Sequence, residues 1–272
     1  MLLSLLNWRV YVYVGSAYPK LPESGSMSRL SHLDRSLIRP AEKDGFSPKE
    51  LDGLPEPVQR YFAAAIAPGT PIATSARLRM KGHIKVKRWL PFRARQVLSP
   101  QHGFVWAGRA GGVIVGSDSY FDGQGLLDWK VAGLLTVAHA EGPDVSRSAA
   151  GRGAAEAIWL PTALLPRFRV TWTAEGSDSV TAAYTLGEVP LELHLQLDGE
   201  GRVLSVVFDR WGDPGNRGTF GEHPFGGEIT GYATFEGLTI PSSGRFGWFY
   251  GTDRWTEGEF FRYEIVELEL VG

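Results

Sequence analysis

The side chains best suited to acid and base chemistry lie in one short stretch of this 272-residue chain. His139, Asp144 and Glu156 could exchange protons near neutral pH if a pocket perturbed their pKa values. Arg152 precedes Glu156 by four residues, however, and that spacing on a helix is typical of a surface ion pair. A hydrolase or isomerase that uses these three groups at the mouth of a cavity therefore stays an alternative, and we assign no catalytic residue.

Chemistry that depends on a metal or another cofactor has no support in the residue pattern. The chain contains no cysteine, which excludes disulfides, thiolate ligands and cysteine nucleophiles. Its histidines are scattered without metal-ligand spacing: His32, His83, His102, His139, His194 and His223. The glycine-rich phosphate loop and the nucleophile elbow of hydrolases are also missing. We expect no cofactor and no metal site.

The main charged feature is a segment, residues 76–88, in which basic and apolar residues alternate. Its basic side could contact an anionic membrane surface through Arg77, Arg79, Lys81, Lys85 and Lys87. That contact would suit an interaction scaffold associated with the cell envelope. Alternatively, an acidic neighbouring strand with Glu264, Glu267 and Glu269 pairs with these charges. The net charge of -2 and the lack of aromatic residues on the basic side argue against a nucleic-acid partner.

Aromatic side chains make up 12% of the chain, which is enough to build a large apolar face. A large antiparallel sheet with one apolar face either surrounds a filled core or leaves an apolar concavity for a ligand. Both alternatives stay open. For a concavity, the candidate lining residues are Trp106, Trp129, Trp159, Phe168, Trp172, Tyr184, Leu193, Leu195, Phe246 and Trp248.

The elements that would position these residues are mostly antiparallel strands. Strand-type patterns cover residues 76–88, 93–99, 102–109, 117–121, 126–131, 168–174, 179–186, 189–197, 202–210, 228–235, 245–250 and 254–271. Between the two groups of strands, the alanine-rich residues 142–165 predict a helix that Gly151 and Gly153 weaken, with Asp144 or Ser146 as its N-cap. A second helix is predicted to start at the capping box of Ser47 and Glu50. The glycine-rich residues 212–227 predict a long loop.

The fold class predicted from this order is mainly β: an incomplete antiparallel barrel of about ten or eleven strands with one or two helices as a lid. Residues 46–272 would form this single domain. Residues 1–45 would be an N-terminal extension, poorly ordered or touching a membrane, and residues 19–45 have the composition of a linker. The apolar start of the chain contains Arg9 and is too short to span a bilayer. We therefore expect a cytoplasmic location or one peripheral to the membrane.

Three motifs carry a family resemblance. The run LPEPVQRYF at residues 54–62, IWLPTALLP at 158–166, and Tyr232 followed by LTIP at 238–241 resemble a family of uncharacterised bacterial proteins. That family is similar to the LolA/LolB lipoprotein carriers, although this chain lacks their lipobox cysteine. The resemblance spans roughly residues 50–271 and implies an incomplete barrel with an apolar cavity under a helical lid.

The residues and the resemblance together favour a non-catalytic binding protein. Its partner would be an apolar small molecule or lipid, such as an acyl chain, held in the half-barrel. The helix at residues 149–165 would serve as the lid.

Overall fold

A computed structural model describes residues 26–42, 44–215 and 217–272, and most of these residues belong to one antiparallel sheet. Its thirteen strands are β1 (Ala76–Val86), β2 (Arg88–Ser99), β3 (Gly103–Ala110), β4 (Ile114–Phe121), β5 (Gln124–Val131), β6 (Leu135–Glu141), β7 (Thr171–Glu175), β8 (Ser179–Leu186), β9 (Val189–Leu197), β10 (Val203–Gly212), β11 (Gly221–Phe235), β12 (Leu238–Trp248) and β13 (Glu259–Leu270).

The order of the strands in the sheet follows from two meanders joined at one place. The first runs from β1 to β6 and the second from β7 to β13, and each strand pairs with its neighbour in sequence. The exception is β1, which also pairs with β13 and so joins the two meanders. The full order is β6-β5-β4-β3-β2-β1-β13-β12-β11-β10-β9-β8-β7.

The predicted mainly β, antiparallel class is confirmed, but the predicted number of strands was too low. β6 was missed because most of its side chains are exposed or half-buried, which leaves no clear apolar face. The predicted loop at 212–227 was also wrong, since β11 begins at Gly221. A Cβ at Gly226 would lie 2.1 Å from the carbonyl oxygen of Val206, so glycine is what lets β11 approach β10 this closely.

Four helices are found among the described residues: α1 (Ser26–Leu37), α2 (Glu56–Ala65), α3 (Pro143–Glu156) and the single turn α4 (Trp255–Gly258), which replaces the predicted start of the last strand. The capping box at Ser47 and Glu50 begins a short 3-10 turn instead of α2, because the prolines at 55 and 57 delay the helix. The N-cap of α3 is Gly142, not Asp144 or Ser146. After α3, three 3-10 turns carry the chain to Phe168, where a strand had been predicted to start.

Helix α1 falls in the segment that the sequence assigned to a linker. Its Leu33 and Leu37 are buried against Val97 of β2 and Val105 of β3. Residues 26–37 are therefore a packed helix, which the mixed composition of this region concealed. Residues 1–25, for which a membrane-touching segment was one expectation, lie outside the described residues. In the part of the chain that is described, no helix is long and apolar enough to span a membrane.

The sheet curves around α3, since α3 contacts β5 in the first meander and β10 in the second. We call the side that holds α3 the inner face and the side that holds α1 the outer face. The inner face, α2 and the buried residues 157–165 form one continuous apolar core. The order of strands, helix and strands in the sequence thus produces a half-barrel with a helix across it.

Candidate ligand-binding site

The inner face carries a group of aromatic rings, which we call the aromatic floor. It consists of Phe92, Trp106, Trp129, Phe246, Trp248, Phe261 and Tyr263, from strands β2, β3, β5, β12 and β13. Ring centroids are 5.5 Å apart for Trp106 and Trp129, and 5.2 Å apart for Phe92 and Phe261. Trp159, just after α3, contacts Tyr263 at 5.0 Å and joins the floor to the lid. These distances are those of aromatic pairs in direct contact.

The rings of the floor lie down against the backbone because glycines sit beneath them. A Cβ at Gly116 would be 2.5 Å from the Trp129 ring, and one at Gly227 would be 2.6 Å from the Phe246 ring. The same close approach joins Gly82 to Phe92, Gly108 to Trp106, Gly212 to Trp248 and Gly244 to Tyr263, with separations between 2.3 and 3.0 Å. Rings that cover glycines contribute apolar surface without projecting far above the sheet.

Part of the floor reaches solvent beyond α3. Trp129, Trp248 and Phe261 are only half-buried, whereas Trp106 is 2% exposed. Half-buried aliphatic side chains on the same face extend this apolar surface: Ile84, Leu90 and Ile114. These half-buried side chains leave part of the apolar surface of the inner face accessible to solvent.

The predicted lining residues divide into two groups of five. Trp106, Trp129, Trp159, Phe246 and Trp248 belong to the floor or contact it. The others lie in the closed part of the core or pack against it: Phe168, Trp172, Tyr184, Leu193 and Leu195. Trp172, for example, packs at 5.2 Å from Phe62 of α2 and donates its indole N–H to the Leu164 carbonyl oxygen at 2.9 Å.

A partly buried polar network borders the floor along α3. Arg152 Nε donates to Glu156 Oε1 at 2.8 Å, and its Nη1 donates to Asp118. Gln96 Nε2 donates to the other oxygen of Glu156 at 2.6 Å, and Trp129 Nε1 donates to Asp118 Oδ1 at 2.7 Å. Burial acts to lower the pKa of Arg152, but Glu156 and Asp118 outweigh it and the pKa is raised. The helix spacing predicted the Arg152–Glu156 pair correctly, but Glu156 is buried and Arg152 is only partly exposed, so the pair is not an ordinary surface pair.

A second arginine, Arg210 of β10, lies on the inner face near the N-terminal half of α3. Its Nε donates to the Ser148 carbonyl oxygen at 3.1 Å, and its Nη2 to the Ser148 hydroxyl at 3.4 Å. The guanidinium lies over the rings of Phe225 and Trp248, at 4.6 and 4.9 Å. Burial, followed by repulsion from Arg152, lowers the pKa of Arg210 to about 9.

The three candidate acid and base groups, His139, Asp144 and Glu156, do not lie together in the structure. His139 is on the outer face, 3.6 Å from Asp128, and Asp144 accepts the indole N–H of Trp211 at 2.8 Å near the start of α3. Glu156 lies at the other end of α3, about 18 Å from Asp144 along the helix axis. These three residues therefore cannot act on one substrate atom.

The basic side of β1 is largely paired with the acidic side of β13, as the second interpretation of that strand predicted. Arg77 is 3.8 Å from Glu269, Arg79 is 3.2 Å from Glu267, and Lys81 is 3.2 Å from Glu264. Beside β1, a shallow groove of about 750 Å³ is lined by five basic side chains: Arg79, Arg93, Arg95, Arg109 and Lys130. Ion-pair partners within 4.0 Å are found in the described residues for only two of them, Arg79 and Lys130.

Several residues of the floor and its border were not identified from the sequence: Gln96, Phe92, Asp118, Arg210, Phe261 and Tyr263. The sequence does contain one signal, since Gly108 follows Trp106 by two residues and lies against its ring. Residues two apart lie on the same face of a strand, so a glycine at this spacing leaves room beside a ring. The cross-strand pairs become visible only once the strand register is known.

The fold and the site define a curved, all-antiparallel half-barrel whose inner face is aromatic and is partly covered by a helix. The chain belongs to DUF6544, a family of unknown function, which it matches over residues 44–260. This confirms the prediction of an uncharacterised family. No curated protein matches the chain.

Two solved structures are similar in chain path. One is described as an outer membrane lipoprotein-sorting protein domain from Vibrio parahaemolyticus, with 10% identity, a TM-score of 0.42, and coverage of 79% of this chain and 90% of that one. The other is a LolA superfamily protein from Nitrosomonas europaea, with 6% identity, a TM-score of 0.38, and coverage of 74% and 86%.

Proposed function

We propose that this protein binds an apolar ligand, an acyl chain or a lipid-like molecule, on the aromatic floor, and that it does so without catalysis. The observation that carries the proposal is the row of rings held down by glycines, with Trp129, Trp248 and Phe261 left half-exposed. Apolar sites in proteins combine a largely apolar lining with a few convergent polar groups. Here the polar groups are those along α3, and the floor supplies the lining.

The chemistry along α3 agrees with binding and not with turnover. Both carboxylates of the network are held by Arg152, and Glu156 also accepts from Gln96. These donors occupy oxygens of both carboxylates, so neither carboxylate is free to accept a proton from a substrate within hydrogen-bond reach. The network therefore orders α3 beside the floor.

The first experiment is binding of N-phenyl-1-naphthylamine, a neutral apolar dye, followed by its fluorescence. We expect saturable binding to the wild type. Gly108→Ala should weaken it about fivefold, because the new Cβ would lie 2.8 Å from the Trp106 ring and push that ring into the concavity. Gly199→Ala is the control, since a Cβ there has no neighbour within 4 Å.

Mass spectrometry of an organic extract of the purified protein gives an independent result. A stoichiometric apolar molecule would support the proposal and identify the ligand class. If the extract contains none, and the wild type also fails to bind the dye, then the floor is only a protein core and the proposal is wrong.

A second candidate function is contact with an anionic membrane surface through the outer-face groove. Arg93, Arg95 and Arg109 favour it, since they are exposed and have no carboxylate within 4.0 Å among the described residues. We expect binding to anionic vesicles that weakens steeply with salt. Arg95→Gln should lower the affinity about fivefold, whereas Arg202→Gln, exposed and away from the groove, should not. Binding that is equal with neutral vesicles would contradict this candidate.

A further inference from the structure

The strongest unexplained feature of the molecule is the environment of Arg210. This residue is 9% exposed. Among residues 26–42, 44–215 and 217–272, no carboxylate lies within 4.0 Å of its guanidinium, and its Nη1 has no acceptor within hydrogen-bond distance. A buried charge is normally paired, because removing it from water costs several kcal/mol. Arg210 therefore has unused donors and an uncompensated charge.

The nearby carboxylates are already occupied. Asp118 and Glu156 are the acidic groups that act on Arg210 through space, but both are bonded to Arg152. Arg152, in contrast to Arg210, donates to carboxylates that the fold places beside it. Arg210 lacks such a partner, although it faces the same inner side of the sheet.

The surroundings hold Arg210 in position and do not neutralise it. Ser148 accepts two of its hydrogen bonds, and the faces of Phe225 and Trp248 lie against its guanidinium. Gly151 makes room for its stem, since a Cβ there would lie 3.0 Å from Arg210 Cγ. A guanidinium fixed in this way, with a free edge, can bind an oxyanion through two parallel hydrogen bonds.

We propose that the ligand on the aromatic floor is an amphiphile with an oxyanion head, a carboxylate or a phosphate, and that Arg210 binds this head. The inference rests on the proposed function and specifies its ligand class. Trp248 lies against Arg210 and is two residues from Phe246 on the same face of β12, so a head at Arg210 places the first part of the tail on Trp248. The rest of the tail can then extend toward the half-buried Phe261, which lies opposite Phe246 across β12 and β13.

The test is displacement of N-phenyl-1-naphthylamine at pH 7 by four compounds: dodecanoate, dodecyl phosphate, dodecanol and acetate. We expect dodecanoate or dodecyl phosphate to displace the dye at a concentration about tenfold lower than dodecanol, the gain typical of a charge-assisted hydrogen bond. The stronger of the two anions identifies the head. Acetate, which has a head without a tail, should not displace the dye.

Variants then assign the preference to Arg210. In Arg210→Gln the tenfold preference for the anion should fall to about twofold or less, while dodecanol binding stays within about twofold of wild type. Arg210→Lys should retain part of the preference, since its charge remains. Arg202→Gln removes the same charge from an exposed site and should leave the preference intact.

The failures of the two proposals are distinguishable. If dodecanol displaces the dye as well as the anions do in the wild type, the anionic head is wrong and apolar binding stands. If no compound displaces the dye because the dye does not bind, the proposed function itself is wrong. An unchanged preference in Arg210→Gln overturns the role of Arg210. If Arg210→Gln does not fold, the preference for the anions over dodecanol is compared between the wild type and Arg210→Lys instead.

Discussion

At the scale of single residues, the inner face contains hydroxyl groups in two different states. Tyr263 accepts a hydrogen bond from Trp159 Nε1 and donates one to the Pro241 carbonyl oxygen, both at 3.2 Å. The hydroxyl of Tyr184 is also buried, yet it has no hydrogen-bond partner among the described residues. A satisfied group and an unsatisfied one should respond in opposite ways to removal of the hydroxyl.

The corresponding pair of variants is Tyr184→Phe and Tyr263→Phe. We expect the first to leave the free energy of unfolding unchanged or to raise it by up to about 1 kcal/mol, since an unpaired buried hydroxyl is removed. The second should lower it by about 1 to 2 kcal/mol, because two partners lose their bonds. Urea denaturation measures both. A loss in Tyr184→Phe as large as that in Tyr263→Phe would mean that the Tyr184 hydroxyl has a partner.

At the scale of elements, α3 shows why glycine residues occur inside a helix. Glycine costs about 1 kcal/mol relative to alanine in a helix interior, and on that basis the sequence predicted a weakened helix. In the structure, Gly151 faces Arg210, and Gly153 faces Leu186 and Phe104. The absence of side chains lets the helix pack closely against the sheet. The helix gives up intrinsic stability, and tertiary packing compensates for it.

Gly153→Ala tests this balance. The new Cβ would lie 3.2 Å from Leu186 Cδ2 and 3.3 Å from Phe104 Cδ1, both on buried side chains of the sheet. We expect a net loss of about 1 kcal/mol in stability, as overpacking outweighs the gain in helix propensity. Thermal denaturation, with Gly199→Ala as a control in open space, measures the change. A rise in melting temperature would show that α3 can move away from the sheet.

At the scale of the whole molecule, several buried tyrosine hydroxyls make the free energy of unfolding depend on pH in the alkaline range. Burial raises the pKa of Tyr61, Tyr184 and Tyr263 above the ordinary value of 10, and also that of Tyr232. The unfolded chain loses these phenol protons near pH 10, while the native protein keeps them. The native state then binds more protons than the unfolded state, so stability falls as the pH rises.

We therefore expect the free energy of unfolding to be highest below about pH 10 and to decrease progressively above it. Arg210 acts in the opposite direction from about pH 9, where it begins to lose its unfavourable charge, but it is one group against five, because burial also raises the pKa of Tyr120. Urea denaturation between pH 8 and 11, with tyrosinate absorbance of the native protein, provides the measurement. Ionisation of these tyrosines near pH 10 in a protein that stays folded would contradict it.

Local patterns in the sequence determined the class of fold and most of its strands. Alternation with period two depends only on neighbouring residues, so it identified β1, β8 and β9 directly, and the alanine-rich stretch identified α3. Acidic and basic strands with matching charges were also enough to predict the pairing of β1 with β13. These features do not depend on how the sheet curves.

The tertiary structure alone decided which glycine lies under which ring, and that Arg210 approaches α3 without a carboxylate. It also decided that half of the predicted lining residues lie in the closed part of the core or pack against it, and that α1 packs on the outer face. The physical reason is that each of these contacts joins residues far apart in the chain. Their positions depend on strand register and on the curvature of the sheet around α3, which no local pattern encodes.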